Sequence, residues 1–200
     1  GSRGSESEYS FDITEMIEKE LSKMIDFHTS AEHPYDWNIE EIYENIKAIA
    51  PIPEDFHNQL SVVLKKQAES DDLRDELFNM ALEVVLKAYD EKKEKLGAEK
   101  MQELEKFILL RTLDTLWMEH LETMDSLRDS VRLRAYGQKD PLLEYKREGR
   151  EMFERLLDQF QAQVVLTIFK VELRETPKTG ESGIRNHESG AVKKGIGRND

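Results

Sequence analysis

The residues best suited to catalysis are few and widely spaced. Glu119 and His120 are adjacent on a helical pattern, but the second histidine of a zinc-protease helix is missing. His120 is therefore expected to be a polar residue at a surface or boundary. His28 and His33 are five residues apart across a break in the helical pattern, and the spacing suggests no third metal ligand. The sequence also lacks cysteine and a glycine-rich phosphate loop. We expect no catalytic residue, metal site or cofactor in these 200 residues.

A second group of residues suits contact rather than catalysis. Residues 128–150 hold 7 basic and 4 acidic residues, a net charge of +3, whereas residues 1–127 hold 14 basic and 30 acidic, a net charge of −16. The basic residues surround Tyr136, whose large ring has few rotatable bonds to order in a contact. A plain solvated turn remains the alternative. The basic residues are Arg128, Arg132, Arg134, Lys139, Lys146, Arg147 and Arg150.

The overall composition narrows the class of protein. Charged residues make up 36% of the chain, against a typical value of about 25%, and the net charge is −13. This acidity argues against nucleic-acid binding, but it leaves open a local contact of the basic residues with anionic lipid or an acidic protein. No apolar run approaches the roughly 20 residues that cross a bilayer, and no cleavable signal peptide is visible. Residues 1–8 are expected to be a disordered cloning remnant.

Apolar spacing predicts the helices that must position these side chains. Residues 12–28 show a helical pattern with Asp12 as N-cap, and Asn38 is expected to open a second helix. Pro51 and Pro53 should end that second helix, because proline lacks the amide donor and clashes with the preceding turn.

Two further helices complete a small, compact helical subdomain. The third is predicted over Glu54–Gln67 and the fourth from about Asp71 to Leu96. Gly97 is expected to act either as a C-cap or as a mild kink.

From Ala98 the apolar pattern lengthens into one helix of about 36 residues, roughly 54 Å long. Gly137 is expected to end this helix, and Asp140 and Pro141 to begin the next as N-cap and first helical residue. So short a connection forces the two helices antiparallel. The sequence thus predicts a long αα-hairpin. Its second arm carries apolar residues at helical spacing: Phe153, Leu156, Phe160, Val164, Ile168 and Val171.

Several large apolar residues of the hairpin could line a binding groove. Their helical spacing instead favours the hairpin core or packing on another helix. Gly149 lies inside the second arm, where glycine costs about 1 kcal/mol relative to alanine. We interpret it as close packing against a bulky side chain of the first arm. The groove candidates are Trp117, Met118, Met124 and Met152.

The predicted fold class is all-α: a small helical subdomain, a long antiparallel two-helix hairpin and a disordered C-terminal tail. Residues 176–200 are rich in Gly, Ser, Lys and Asn. They cannot bury enough apolar surface to offset the entropy of ordering them.

Two stretches of the hairpin make the sequence recognisable. LDTLWMEHL followed by MDSLR, and then LRAYGQKDPLLEYKRE, place Trp, His, Tyr, Gly and Pro at defined offsets. This composite motif resembles the C-terminal helical region of the SecA family, the ATP-driven motors of bacterial Sec protein export. The final VKKGIGRND is similar to the segment before the family's zinc-binding cysteines, which are absent here, so the zinc site cannot be carried over.

The resemblance implies a division of the chain. Residues 9–29 would be the end of the long scaffold helix and residues 30–97 the helical wing. Residues 98–175 would be the two-helix finger of the helical scaffold, and residues 176–200 a flexible linker. The motor domains that bind ATP and Mg²⁺ are not represented, so no enzymatic activity is expected of this part.

The resemblance also implies contact residues and partners. Tyr136 would occupy the loop-tip position that contacts the translocating preprotein, flanked by Arg134, Gln138 and Lys139. The finger would lie beside a SecY-type channel and restrain the ATPase through the protein's own motor domains. These relations imply a cytoplasmic protein peripherally associated with the inner face of the bacterial membrane. Surfaces normally covered by the motor domains could drive self-association.

The main interpretation is therefore a non-catalytic C-terminal part of a SecA-type translocase, with a basic flank of Arg128, Arg132, Lys146 and Arg147. The alternative is a free-standing helical interaction module that docks a protein partner and has no role in transport.

Overall fold

A computed structural model describes residues 12–66, 69–134 and 140–172. The described part is all-α, which confirms the predicted fold class. It contains a short 3₁₀ turn at Pro34–Asp36 besides the α-helices. These are α1 (Ile13–His28), α2 (Ile39–Ile49), α3 (Phe56–Val63), α4 (Ser70–Leu96), α5 (Ala98–Arg134) and α6 (Pro141–Ile168).

The predicted starts of α1 and α2 are confirmed by their caps. The Asp12 carboxylate accepts the backbone N–H of Thr14 at 2.9 Å. The Asn38 side chain accepts the N–H of Glu41 at 3.2 Å. Each contact satisfies an amide that the first helical turn leaves without an intrahelical acceptor. The second helix stops before Pro51, as predicted.

The third helix is shorter than predicted. It begins at Phe56 and ends at Val63, whereas the sequence pattern suggested Glu54–Gln67. The amides of Lys65 and Lys66 bond three residues back, to Val62 and Val63. These tighter bonds satisfy the last carbonyls and end the helix before the apolar pattern does. Residue 67 lies outside the described part of the chain.

Gly97 forms a sharp reversal between two long helices. Its φ of 82° lies in the left-handed region, and its amide donates to the carbonyl of Lys93 at 2.9 Å. Of the two roles considered, C-cap is therefore correct, since glycine alone adopts this conformation without a steric cost. α5 then starts at the next residue.

The long hairpin is confirmed in its described part. α5 has 37 residues and α6 has 28. The Asp140 side chain accepts the N–H of Leu142 at 2.9 Å, with Pro141 as the first helical residue. Val171 lies beyond the end of α6, although it is buried. The role predicted for Gly137 concerns a residue outside the described ones.

Four helices form an up-down-up-down bundle at the base of the hairpin. α1 packs on α4 and α6, and α5 packs on α4 and α6. Arg74, near the start of α4, donates to the hydroxyl and carbonyl of Thr29, just after α1. Lys23 and Asp158 join α1 to α6 at 2.8 Å. These contacts show that neighbouring helices of the bundle run antiparallel.

One apolar core runs through the bundle and into the helices beside it. Its fully buried members include Ile17 and Leu21 of α1, Leu77 of α4, Leu104 of α5 and Ile168 of α6. The core therefore spans residue 97, where the resemblance placed the limit between wing and finger. The division of the chain into those domains stays a prediction.

Within the described residues, no helix combines the length and hydrophobicity that a membrane span needs.

Candidate functional site

The distal half of the hairpin has an apolar seam of its own. Leu127 and Val131 on α5 are only 5% and 4% exposed, yet neither belongs to the core of the bundle. On the facing arm, a Cβ built on Gly149 would lie 3.0 Å from the terminal methyl carbon of Met124. The interpretation of Gly149 as a close-packing residue is confirmed. The two arms thus approach closely enough to hold each other beyond the bundle.

One side of the hairpin, from the level of the bundle outwards, exposes large apolar residues. Trp117 on α5 is 44% exposed and Phe153 on α6 is 43% exposed. The ring of His120 lies 5.5 Å from that of Trp117 and 6.1 Å from that of Phe153, so it joins the two arms on one side. We call this surface the apolar side. Its members are Leu113, Trp117, Leu121, Phe153 and Leu157.

Of the two roles predicted for Trp117 and Met118, hairpin core or packing on another helix, the core role is wrong for both. Met118 is 60% exposed, more than Trp117. The three-and-four spacing of apolar residues drifts around α5, so successive residues of the pattern cannot all face α6. Met124 and Met152, by contrast, are half-buried between the arms. His120 is half-buried, and its expected boundary position is confirmed.

An open groove between the two arms borders the apolar side at His120. Most of its lining side chains are polar, so contact with another apolar surface is favoured on the apolar side rather than in the groove. The groove is lined by Leu116, Glu119, His120 and Thr123 of α5 and by Met152, Arg155, Leu156 and Gln159 of α6.

The basic flank continues the apolar side towards the tip. Arg128 and Arg132 follow Trp117 by 11 and 15 residues, and both intervals return to the same face of a helix. On α6, Lys146 precedes Phe153 by seven residues and also shares its face. One side of the hairpin thus changes from apolar near the bundle to basic near the tip.

Half of the basic flank is paired with nearby carboxylates. Arg128 lies 3.5 Å from Asp125, and Arg147 lies 2.7 Å from Glu144. The hydrogen bond to Glu144 raises the pKa of the Arg147 guanidinium above its usual value. Such exposed pairs contribute little to stability. They do reduce the charge that these two arginines offer to a partner.

Arg132 and Lys146 differ from the other two. Both are exposed, and neither forms an ion pair with another residue in the described part of the chain. α5 ends at Arg134, whose side chain lies outside the description, as do Tyr136, Gln138 and Lys139. The roles predicted for these four tip residues stay predictions.

The two histidines considered as metal ligands have other partners. His28 lies 3.3 Å from a carboxylate oxygen of Glu41 and 3.2 Å from the amide of Asn45. His33 stacks on Tyr35, with ring centres 5.1 Å apart. Among the described residues, no three His, Cys, Asp or Glu side chains are grouped so that they could hold a metal ion.

Comparison with known proteins identifies the family. The family model described as "SecA Wing and Scaffold domain" matches residues 3–172. The chain belongs to this SecA family. Its relatives include "Protein translocase subunit SecA" of Symbiobacterium thermophilum, 42% identical over 64% of this chain and 15% of the relative. The same subunit of Kocuria rhizophila is 34% identical over 86% of this chain and 18% of the relative. That of Thermodesulfovibrio yellowstonii is 30% identical over 94% and 21%.

The chain thus spans about a fifth or less of the length of these SecA relatives.

The sequence motif located the hairpin but not its apolar side. Leu113, Leu121 and Leu157 are of a common residue type, and their place on an exposed apolar surface was not predicted from the sequence. Their spacing from Trp117 and Phe153 was the available signal, because leucines four residues from an exposed aromatic share its face.

Proposed function

We propose that this chain supplies the contact hairpin of a SecA-type protein translocase. The observation that carries the proposal is a hairpin extending past its bundle, with an apolar side that leads into exposed basic residues. The family match supports the setting in protein translocation. In that setting, a stiff hairpin transmits movement to a polypeptide without performing chemistry itself. ATP and Mg²⁺ would act in other parts of the full-length translocase.

The tip is proposed to contact the unfolded preprotein. A tyrosine ring at position 136 can stack on apolar and backbone groups and donate one hydrogen bond, so the contact is largely independent of preprotein sequence. Arg134, Gln138 and Lys139 flank it in the chain.

The test is Tyr136→Ala in a full-length translocase that carries this sequence, with preprotein transport into membrane vesicles as the readout. We expect a loss of transport of at least about tenfold, equal to roughly 1.4 kcal/mol of lost contact at the limiting step. Tyr35→Ala is the matched control, since Tyr35 is 78% exposed on the body of the protein. Equal transport by both variants would remove the tip from the proposal.

The apolar side is proposed to dock on the motor domains and to restrain their ATPase. Trp117 and Phe153 present aromatic surface that a folded partner can cover, and aromatic residues supply much of the energy of such contacts. In the full-length protein, Trp117→Ala should raise ATP hydrolysis in the absence of preprotein. Phe27→Ala is the control, because Phe27 is 74% exposed on α1. An unchanged basal ATPase in Trp117→Ala would contradict the restraint.

The basic flank is proposed to face a SecY-type channel or anionic lipid at the inner face of the bacterial membrane. Each basic residue near an anionic surface contributes about 1 kcal/mol at moderate salt. Flotation with vesicles that contain or lack anionic lipid separates these partners. Salt-sensitive binding to anionic vesicles alone would support the lipid contact of Arg132 and Lys146, whereas no binding to either kind of vesicle would remove lipid from the proposal.

A further inference from the structure

Two side chains on one face of α4 hold both arms of the hairpin at its base. Tyr89 is 6% exposed, and its hydroxyl donates to the Glu105 carboxylate of α5 at 2.5 Å. Lys92 is partly buried, and its ammonium donates to the carbonyl oxygens of Phe169 and Val171 at 3.2 and 2.7 Å. These two carbonyls lie at the end of α6. Tyr89 and Lys92 are three residues apart and therefore share a face of the helix.

The first of these contacts closes the turn at Gly97. Tyr89 and Glu105 each lie eight residues from Gly97 along the sequence, about 12 Å along either helix. A direct hydrogen bond at that distance requires α4 and α5 to fold back on each other. Apart from the neighbouring residues of the chain, no atom lies within 4 Å of a Cβ built on Gly97, so the space beside the glycine is open. The Tyr89–Glu105 bond and the apolar core join the two helices away from the turn.

The second contact fixes the other arm. Burial lowers the pKa of the Lys92 ammonium below its usual value, and the Glu172 carboxylate opposes this shift. The two carbonyl oxygens supply the hydrogen bonds that a partly buried cation needs. The apolar contacts of the bundle have little directionality, and packed helices can slide by an ångström or two. Hydrogen bonds have strict limits of distance and angle, so they select one arrangement.

We infer that Tyr89 and Lys92 are positioning residues that set the direction in which the distal hairpin projects; together with Glu105 they form what we call the base clamp. Arg134 at the end of α5 is 37 residues from Gly97, about 55 Å, against about 12 Å for Glu105. For a rigid helix that pivots at Gly97, a displacement of 1 Å at the clamp becomes roughly 4 to 5 Å at the far end. The inference goes beyond the proposed contact function and does not depend on it.

The experiment measures this direction within the chain itself. Because the sequence has no cysteine, Glu18→Cys on α1 and Glu151→Cys on α6 give two unique sites for nitroxide labels on exposed residues. Double electron–electron resonance then reports the distance between the bundle and the distal hairpin. The clamp variants are Tyr89→Phe, Lys92→Met and their combination. Lys93→Met is the matched control, since Lys93 is exposed on the same turn of α4.

The combined clamp variant should broaden the distance distribution or shift it by several ångströms. Lys93→Met should leave the distance distribution unchanged. Lys92→Arg should also give the distribution of the unmodified chain, because the longer side chain can still donate to the two carbonyls. Circular dichroism checks that each variant remains helical. If Lys92→Met does not fold, the distance distribution of Tyr89→Phe is compared with that of Lys93→Met instead. Tyr89→Phe keeps the buried ring and removes only the hydroxyl. Distributions that superimpose on that of the unmodified chain in folded clamp variants would overturn the inference.

Discussion

At the residue scale, Asp12 shows how one side chain starts a helix and makes its stability depend on pH. Its carboxylate accepts both the hydroxyl of Thr14, at 2.6 Å, and the backbone N–H of the same residue. These two hydrogen bonds lower the pKa of Asp12 below its usual value of 3.8, and the bond to the hydroxyl has the larger effect. The ionised form is therefore the better cap.

We predict that Asp12→Ala lowers the free energy of unfolding by about 1 kcal/mol at pH 7. Because the folded pKa lies below the unfolded one, this contribution is complete above about pH 4. It is lost as the pH falls through the folded pKa. Urea titrations of both proteins from pH 7 to pH 2 test this, with Glu18→Ala as an exposed control on α1. A difference between Asp12→Ala and the unmodified chain that stays constant down to pH 2 would contradict it.

Gly149 gives a second prediction at this scale. Alanine removes the helical cost of glycine, about 1 kcal/mol, and its Cβ meets only the flexible end of Met124 at 3.0 Å. Gly149→Ala should therefore stabilise the chain slightly, by about 0.5 kcal/mol. Gly149→Leu should destabilise it by about 1 to 3 kcal/mol, because a larger side chain forces the arms apart. Thermal unfolding of both variants decides. A destabilised alanine variant would mean that Met124 cannot move aside.

At the scale of the element, the distal hairpin is a pair of helices with a thin seam. Two helices bury less apolar surface than a bundle, so this part should open before the bundle does. Leu127 is 5% exposed in the seam, whereas Leu133, six residues further on, is 77% exposed. The two leucines form a matched pair for measuring the seam.

Leu127→Ala should lower the protection of distal hairpin amides from hydrogen exchange and destabilise that segment by about 2 kcal/mol. Leu133→Ala should change it by less than about 0.5 kcal/mol. Amides of α1 and α4 should be unaffected by either change. Equal effects of the two variants would show that Leu127 is not held in a seam. Equal loss of protection in α4 would show that hairpin and bundle open as one unit.

The elements differ in how far the sequence predicted them. Caps such as Asp12, Asn38 and Asp140 act locally, and their helix starts were predicted correctly. The end of α3 depends on tighter bonds at Lys65 and Lys66, which apolar spacing does not report. The exposure of Trp117 depends on which helices reach its level of the hairpin. That is a property of tertiary packing and could not be read from spacing.

At the scale of the whole molecule, one bundle carries one projecting hairpin whose far part, residues 128–150, has a net charge opposite to that of residues 1–127. The acidic residues 1–127 and the basic residues 128–150 were apparent from the sequence. The place of α4 inside the bundle was not, because long-range pairing such as Arg74 with Thr29 leaves no local pattern. The hairpin and the helices before it share a core, in which α5 packs on α4 as well as on α6.

The central claim is that the hairpin tip contacts the polypeptide that the translocase moves. Site-specific photo-crosslinking tests it most directly. A photoreactive amino acid is placed at Tyr136 or, as control, at Tyr35 in a full-length translocase stalled on a preprotein. We expect an adduct with the preprotein from position 136 and none from position 35. No adduct from 136, or equal adducts from both positions, would contradict it.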